Sequence, residues 1–383
     1  MKTLQTILFL MSFSALFACN DTHSNKTGMH SVPESHSPVS KHYIKVALLL
    51  DTSNSMDGLI DQAKAQLWEI VNELSYAKCR SAQPNLQIAL YEYGNDNLNK
   101  RDGYIRKILS FTEDLDDVSK ELFSLTTNGG SEYCGTVIQA SLDQLDWGND
   151  RDDLKMIFIA GNEPFTQGKV DYRDAGNNAK EKDIVVNTIF CGDYTHGVNS
   201  NWKDGASLTY GDYIAINHDK KTIHIASPYD DLILQLNVQL NGTYIPYGKK
   251  GKRKYAVQAE QDSNAAGYSK ENAVSRTVSK GSHLYKNSTW DLVDAEEEEG
   301  FSYEEIKDED LPEELQGKST AALKSYVQQQ RTERDRIQKE ISELNKQRRA
   351  YIANQKKDAG NGLESAMIEA LKKQAEKKDY TWN

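Results

Sequence analysis

The sequence contains the stretch Val46-Ala-Leu-Leu-Leu-Asp51-Thr-Ser53-Asn-Ser55-Met-Asp57, in which an unbroken apolar run ends in a carboxylate. An apolar run without alternation predicts a strand that is buried on both faces, as in the centre of a parallel sheet. Ligands of open α/β sheets bind outside the carboxyl ends of the strands. A carboxylate and two hydroxyls there suit Mg²⁺, Mn²⁺ or Ca²⁺. The alternative is that these side chains cap the following helix.

The rest of the first 247 residues alternates between strand and helix patterns. Such alternation predicts parallel βαβ units with right-handed crossovers. Predicted strands cover residues 44–50, 86–93, 154–160, 184–191 and 213–216, with a short antiparallel edge strand at 104–109. Predicted helices cover residues 59–74, 115–125, 137–145, 170–182 and 232–240. The sequence therefore predicts an α/β fold in which helices flank a mostly parallel sheet.

The Asp51-x-Ser53-x-Ser55 pattern after a buried strand resembles the metal-ion-dependent adhesion site (MIDAS) of von Willebrand factor type A (VWA) domains. The resemblance implies a Rossmann-like VWA domain over residues 43–247, about half of the chain. The pattern of the C-terminal half is similar to that of bacterial VWA lipoproteins. That similarity implies an architecture but no substrate.

Domains of this family take their metal ligands from three loops, and only the first loop matches in full. The second loop usually has a Thr after paired glycines, and here Gly129-Gly130 is followed by Ser131. Glu132, one place further on, is the alternative ligand from this loop. The third loop usually has Asp-Gly, whereas this chain has Gly161-Asn162-Glu163-Pro164. Fewer formal charges around the ion would weaken its binding and leave it more electrophilic.

The predicted metal ligands are Asp51, Ser53, Ser55 and Ser131, with Mg²⁺ as the ion and Mn²⁺ or Ca²⁺ as alternatives. The resemblance implies an open coordination position that is filled by a carboxylate of a protein partner. We recognise no general base, nucleophile triad or phosphate loop, so no enzyme activity is predicted. The alternative function is an envelope scaffold that has a degenerate metal site and assembles through its C-terminal helices.

The N-terminus has the pattern of an export signal. Lys2 precedes an apolar run over residues 7–17 that is too short to span a membrane. It ends in Leu16-Phe17-Ala18-Cys19, which resembles the lipobox of bacterial lipoproteins, so residues 1–18 are a predicted signal peptide and Cys19 a predicted lipidation site. Residues 19–42 are polar, and this composition predicts a disordered tether. The Asn that follows Cys19 favours anchoring in the outer membrane of a bacterial envelope.

The net charge of the chain bears on its possible partners. The formal net charge is −11, which does not indicate a nucleic-acid partner.

The chain has three cysteines besides Cys19, and in an exported protein they allow one disulfide. Cys134 and Cys191 are both expected at the carboxyl end of the sheet and Cys79 at the opposite end. We therefore predict a disulfide between Cys134 and Cys191, with three free thiols as the alternative.

Two further regions follow the predicted VWA domain. Residues 248–318 are polar, with a strongly acidic part, and are predicted to connect the domain to a C-terminal helical arm. Residues 319–383 are predicted to form a helical arm. Apolar residues recur there with coiled-coil spacing, among them Leu323, Val327, Ile337 and Ile341. Self-association through this arm is one expectation, and an arm that folds back on the domain is another.

Overall fold

Strands and helices alternate through the first part of the chain. The computed structural model describes residues 42–382 apart from 81, 220–224 and 356–362. The strands are β1 (Tyr43–Asp51), β2 (Ala77–Cys79), β3 (Asn85–Tyr93), β4 (Ile105–Thr112), β5 (Leu154–Gly161), β6 (Val185–Cys191), β7 (Tyr213–Ile216) and β8 (Tyr380–Trp382). The helices up to the last strand of the main sheet are α1 (Asp57–Leu74), α2 (Leu115–Ser124), α3 (Cys134–Gln144), α4 (Tyr172–Glu181), α5 (Tyr194–Asn199) and α6 (Trp202–Ser207). Later helices are α7 (Asp230–Asn241), α8 (Gly248–Tyr268), α9 (Lys270–Lys280), α10 (Leu292–Ala295), α11 (Thr320–Gln355) and α12 (Leu363–Glu376).

The main sheet has the strand order β4-β3-β1-β5-β6-β7. All neighbours in it are parallel except β3 and β4, which are antiparallel. β1 lies between β3 and β5, and its residues from Ile44 to Asp51 are all buried. This central position explains the unbroken apolar run, because both faces of the strand are covered. The predicted fold class is confirmed.

Each face of the sheet has its own hydrophobic core. Leu48 and Leu50 of β1 pack with Trp68 of α1 in one core. Ala47 and Leu49, which alternate with them, pack in the other core, on the side of α3 and α4. The alternation follows from the two-residue period of strand side chains.

The predicted disulfide is wrong. Cys134, Cys191 and Cys79 are buried free thiols. Cys134 belongs to the core on the α3 side, whereas Cys191 belongs to the core on the α1 side. Both residues lie near the carboxyl edge of the sheet, but the sheet itself separates their side chains.

The C-terminal helices pack against the α1 side of the sheet. α9 and α12 both contact α1, and α11 contacts α7. The buried seam of α11 contains the residues Leu323, Val327, Arg334, Ile337, Ile341, Asn345 and Arg348. The predicted connecting region is largely helical, because it contains α8, α9 and α10. The contacts of α11 and α12 show that the predicted arm folds back along the domain. The described residues form one compact unit.

The predicted signal peptide (1–18), Cys19 and all of the predicted tether (19–42) except residue 42 lie outside the described residues. In the part of the chain that the structure describes, no helix combines the length and apolar character needed to cross a bilayer. Export, lipidation and location in the envelope stay predictions, as does self-association.

Candidate metal centre

The loop that follows β1 is fixed in place by main-chain hydrogen bonds. Thr52 N donates to Tyr93 O at 2.8 Å, and Asn54 N donates to Gly129 O at 2.9 Å. Asn128 N donates back to Thr52 O at 3.0 Å. The first predicted ligand loop is thereby joined to the end of β3 and to the second loop, which precedes α3.

Asp51 ends β1 at the centre of this arrangement and has no solvent-exposed surface. Its Oδ1 accepts a hydrogen bond from Ser53 N at 2.8 Å. Its Oδ2 is buried and accepts no hydrogen bond from any described residue. An acceptor oxygen in such a position is costly unless a cation or a proton satisfies it.

The hydroxyls of Ser53 and Ser55 lie beside this carboxyl. Their Oγ atoms are 3.3 Å apart. The structure shows no side-chain capping hydrogen bond from Ser53 to the short turn before α1, and none at the start of α1. The alternative explanation of this motif as a helix cap is therefore not what the described structure shows.

The third loop contributes an amide where the family usually has a carboxylate. Asn162 Nδ2 donates to Ser55 Oγ at 3.1 Å. Asn162 Oδ1 is buried and has no hydrogen-bond partner among the described residues. Glu163, which the sequence places nearby, accepts a hydrogen bond from Gln167 Nε2 at 3.0 Å.

The second loop brings Glu132 to the site. This side chain is 1% exposed, and its carboxyl interacts electrostatically with the Asp51 carboxyl and with the Ser53 side chain. Glu163 N donates to Glu132 Oε2 at 3.2 Å. For Ser131 the described pairing is through the main chain, as an isolated antiparallel bridge to Gly94. A metal-binding role of Ser131 stays a prediction.

A second hydroxyl of this loop, that of Thr127, pairs with a residue outside the site. Thr127 donates its hydroxyl to Asp57 Oδ1, at the start of α1. This contact fastens the second loop to the first helix.

Two carboxyls that face each other in a buried site perturb one another. Burial raises the pKa of Asp51 well above its usual range, and the neighbouring Glu132 carboxyl raises this pKa further. Burial also raises the pKa of Glu132. Two neighbouring carboxylates in a buried site are stable together only when a proton or a cation is bound between them.

These residues fit a hard divalent cation. They offer the Asp51 and Glu132 carboxylates, the Ser53 and Ser55 hydroxyls and the Asn162 amide oxygen, all of which are oxygen donors. Two of these oxygens have no other partner among the described residues. Among the described residues, no group of three or more His, Cys, Asp or Glu side chains could hold a metal. The present site has only two carboxylates, and its other donors are hydroxyls and an amide.

An open, mostly parallel sheet with oxygen donors on the loops at its carboxyl edge defines a class of α/β binding domains. Residues 45–202 match the family model of the von Willebrand factor type A domain. This part of the chain is a VWA domain. A search of curated proteins found no match.

Several solved structures are similar to this domain. They include the conserved hypothetical protein BatB from Bacteroides thetaiotaomicron, with 16% identity, a TM-score of 0.34, and coverage of 45% of this chain and 90% of that one. The SpRpn10 VWA domain has 13% identity, a TM-score of 0.34, and coverage of 45% and 87%. An aerotolerance-related membrane protein from Bacteroides fragilis has 15% identity, a TM-score of 0.32, and coverage of 46% and 93%.

Proposed function

We propose that this chain is a membrane-anchored VWA module that binds a protein partner through a divalent cation at the carboxyl end of β1. The observation that supports this proposal best is the carboxylate of Asp51, which is fully buried while its Oδ2 accepts no hydrogen bond from a described residue. A carboxylate in such a position suits a cation that a partner can also bind. Binding rather than catalysis is proposed, because the site offers ligands but no arrangement of nucleophile and base.

The direction of β1 is consistent with this role. The residues that precede Tyr43, which include the predicted lipidation site at Cys19, join the amino end of β1, whereas Asp51 ends the same strand. Nine residues of strand span about 30 Å. A partner would therefore approach the end of β1 that is opposite to Tyr43.

The proposed ion would be held by Asp51, Ser53 and Ser55 from the first loop, with further donors from the second and third loops. A bound Mg²⁺ or Mn²⁺ would supply an electrophilic position at which a partner carboxylate replaces a water molecule. The buried Asp51 and Ser53 would hold the ion from the side of the sheet, where they would also exclude water. Ser55 is exposed to solvent, so the site would stay accessible to a partner.

The test uses a soluble form that starts at Asn20 and keeps every described residue. Isothermal titration with Mg²⁺ and Mn²⁺ is expected to give saturable binding that is lost in Asp51→Ala. Capture of an envelope protein by the immobilised soluble form is expected to require the ion and to fail with the same variant. Capture that is insensitive to chelation and to Asp51→Ala would refute the proposal and favour the scaffold alternative.

A further inference from the structure

We infer that Glu132 is the second-loop metal ligand of this chain, and that its carboxylate replaces both the expected Ser131 hydroxyl and the carboxylate missing from the third loop. The inference rests on the proposed function, because it concerns the ligands of the same ion. Three features of the described residues support it.

The first feature is the space beside Asp51 on the third loop. A Cβ atom added to Gly161 would lie 2.5 Å from the Tyr93 hydroxyl and 3.2 Å from Asp51 Oδ2. The Tyr93 side chain has no exposed surface, and its hydroxyl donates to Ala160 O at 2.9 Å. A side chain larger than hydrogen at position 161 would therefore clash with a fixed tyrosine. The third loop approaches the site at that position only with main chain.

The second feature is the path by which Glu132 reaches the site. Gly94 has a φ of +79°, and a Cβ atom there would lie 2.6 Å from Asp51 Oδ1 and 2.8 Å from Glu132 Cγ. The missing side chain of Gly94 thus leaves the space that the Glu132 side chain crosses. The Gly94–Ser131 bridge sets the register of this segment. Successive side chains of an extended segment point to opposite sides, so the segment directs Glu132 and Ser131 apart.

The third feature is the orientation of the Glu132 carboxylate. Its Oε2 accepts a hydrogen bond from Glu163 N, which belongs to the third loop. The Glu132 side chain also lies beside Asp51, because the same point above Gly94 is 2.6 Å from Asp51 Oδ1 and 2.8 Å from Glu132 Cγ. The second and third loops therefore both fix this carboxylate in place beside the first loop.

This arrangement has a consequence for the ion. Asp51 and Glu132 together supply two formal negative charges, which match the charge of a divalent cation. The chain alone neutralises the ion and needs no partner carboxylate to hold it. A glutamate also permits bidentate coordination, which larger ions such as Ca²⁺ and Mn²⁺ accept more readily than Mg²⁺ does.

The experiment is a titration of the soluble form with Mn²⁺, compared across the wild type, Asp51→Ala, Glu132→Gln and Ser131→Ala. Glu132→Gln keeps the size of the side chain but removes its charge, and Ser131→Ala is its matched neighbour. Glu132→Gln is expected to weaken Mn²⁺ binding by at least about tenfold, and Ser131→Ala by less than about twofold. The rise in melting temperature with saturating Mn²⁺ gives a second measure of the same binding.

The outcomes separate this inference from the proposed function. If Asp51→Ala abolishes binding while Glu132→Gln leaves it unchanged, the inference is wrong and the proposed site stands. If Ser131→Ala causes the larger loss, the second-loop hydroxyl is the ligand and the inference is overturned. If the wild type binds no Mn²⁺, both statements fail. Circular dichroism of each metal-free variant shows whether a loss of binding comes from a loss of fold.

Discussion

Replacing Arg276 with Met should destabilise the whole described unit, although the residue lies outside the part that matches the VWA family. Arg276 on α9 is 1% exposed. Its Nη1 donates to Asp116 Oδ1 on α2 at 2.7 Å, and its Nε donates to Asp262 Oδ1 at 2.6 Å. Methionine keeps an unbranched apolar side chain next to Trp68 and removes the charge. Asp116 would then remain buried without its cation.

Removing one partner of a buried ion pair typically costs about 3–5 kcal/mol. We expect the lower half of this range, because Lys280 also pairs with Asp262 and continues to compensate that carboxylate. The assay is urea denaturation followed by tryptophan fluorescence, which reports on the buried Trp68 and Trp290. Both tryptophans pack in the core that the α1 side of the sheet shares with the C-terminal helices.

The matched control is Arg336→Met on α11. Arg336 pairs with Glu333 and Glu340, but its side chain is 49% exposed. Exposed ion pairs contribute little to stability, so this variant should unfold at nearly the same urea concentration as the wild type. Combining Arg276→Met with Asp116→Asn should recover part of the loss, because no buried charge is then left alone. A cost of Arg276→Met as small as that of the control would refute this account of how α9 is attached to α2.

Three further predictions concern single features of the structure. Burial and a neighbouring carboxylate raise the pKa of Asp294 to about 6. The folded chain keeps this proton up to about pH 6, whereas the unfolded chain loses it near pH 4. As the pH rises from about 4 to 6, the free energy of unfolding in urea should therefore fall by at most about 3 kcal/mol relative to that of Asp294→Asn. Gly135→Ala would overlap a main-chain carbonyl and should lower the melting temperature, whereas Gly267→Ala, with open space in a helix, should raise it slightly. Burial raises the pKa of Cys134 and Cys191, so a thiol reagent should modify them only after denaturation, and peptide mapping should recover both unlinked.

The fold was predictable because its decisive signal is local. The apolar run of β1 and the polar residues that follow Asp51 are continuous in sequence, so the order of residues alone locates the central strand and the edge where ligands are expected to bind. The spacing of the later strands and helices adds the βαβ topology. The boundaries predicted for these elements agree closely with β1, β3 and α1.

The details of the site were not predictable, because they depend on contacts between distant segments. Whether Ser131 or Glu132 faces Asp51 depends on the bridge to Gly94, about 40 residues earlier. The wrong disulfide has a related cause. Position along the strand places Cys191 at the carboxyl edge, but the alternation of strand side chains decides which face it occupies. Cys191 alternates with Phe190, which packs on the side of Cys134.

The packing of the C-terminal helices was obscured by their polarity. α9 buries Arg276, Lys280 and several small polar side chains, which sequence alone would assign to solvent. They are buried because carboxylates and amides of the domain meet them. Lys280, for example, donates to Asn237 at 2.9 Å and to Asp262 at 3.0 Å.

The polar seam of α11 follows the same logic and bears on self-association. In a coiled coil, charged residues in the seam weaken the pairing of two helices. Here Arg334 pairs with Asp291 at 2.7 Å and Arg348 with Asp230 at 3.1 Å, and all four residues are buried within one chain. These arginines therefore already pair with carboxylates of their own chain and are not available to a second copy of α11. Self-association through this helix would therefore have to use its outer, charged face. Light scattering of the soluble form tests whether such an assembly exists, and an assembly held by charged residues should dissociate as the ionic strength rises.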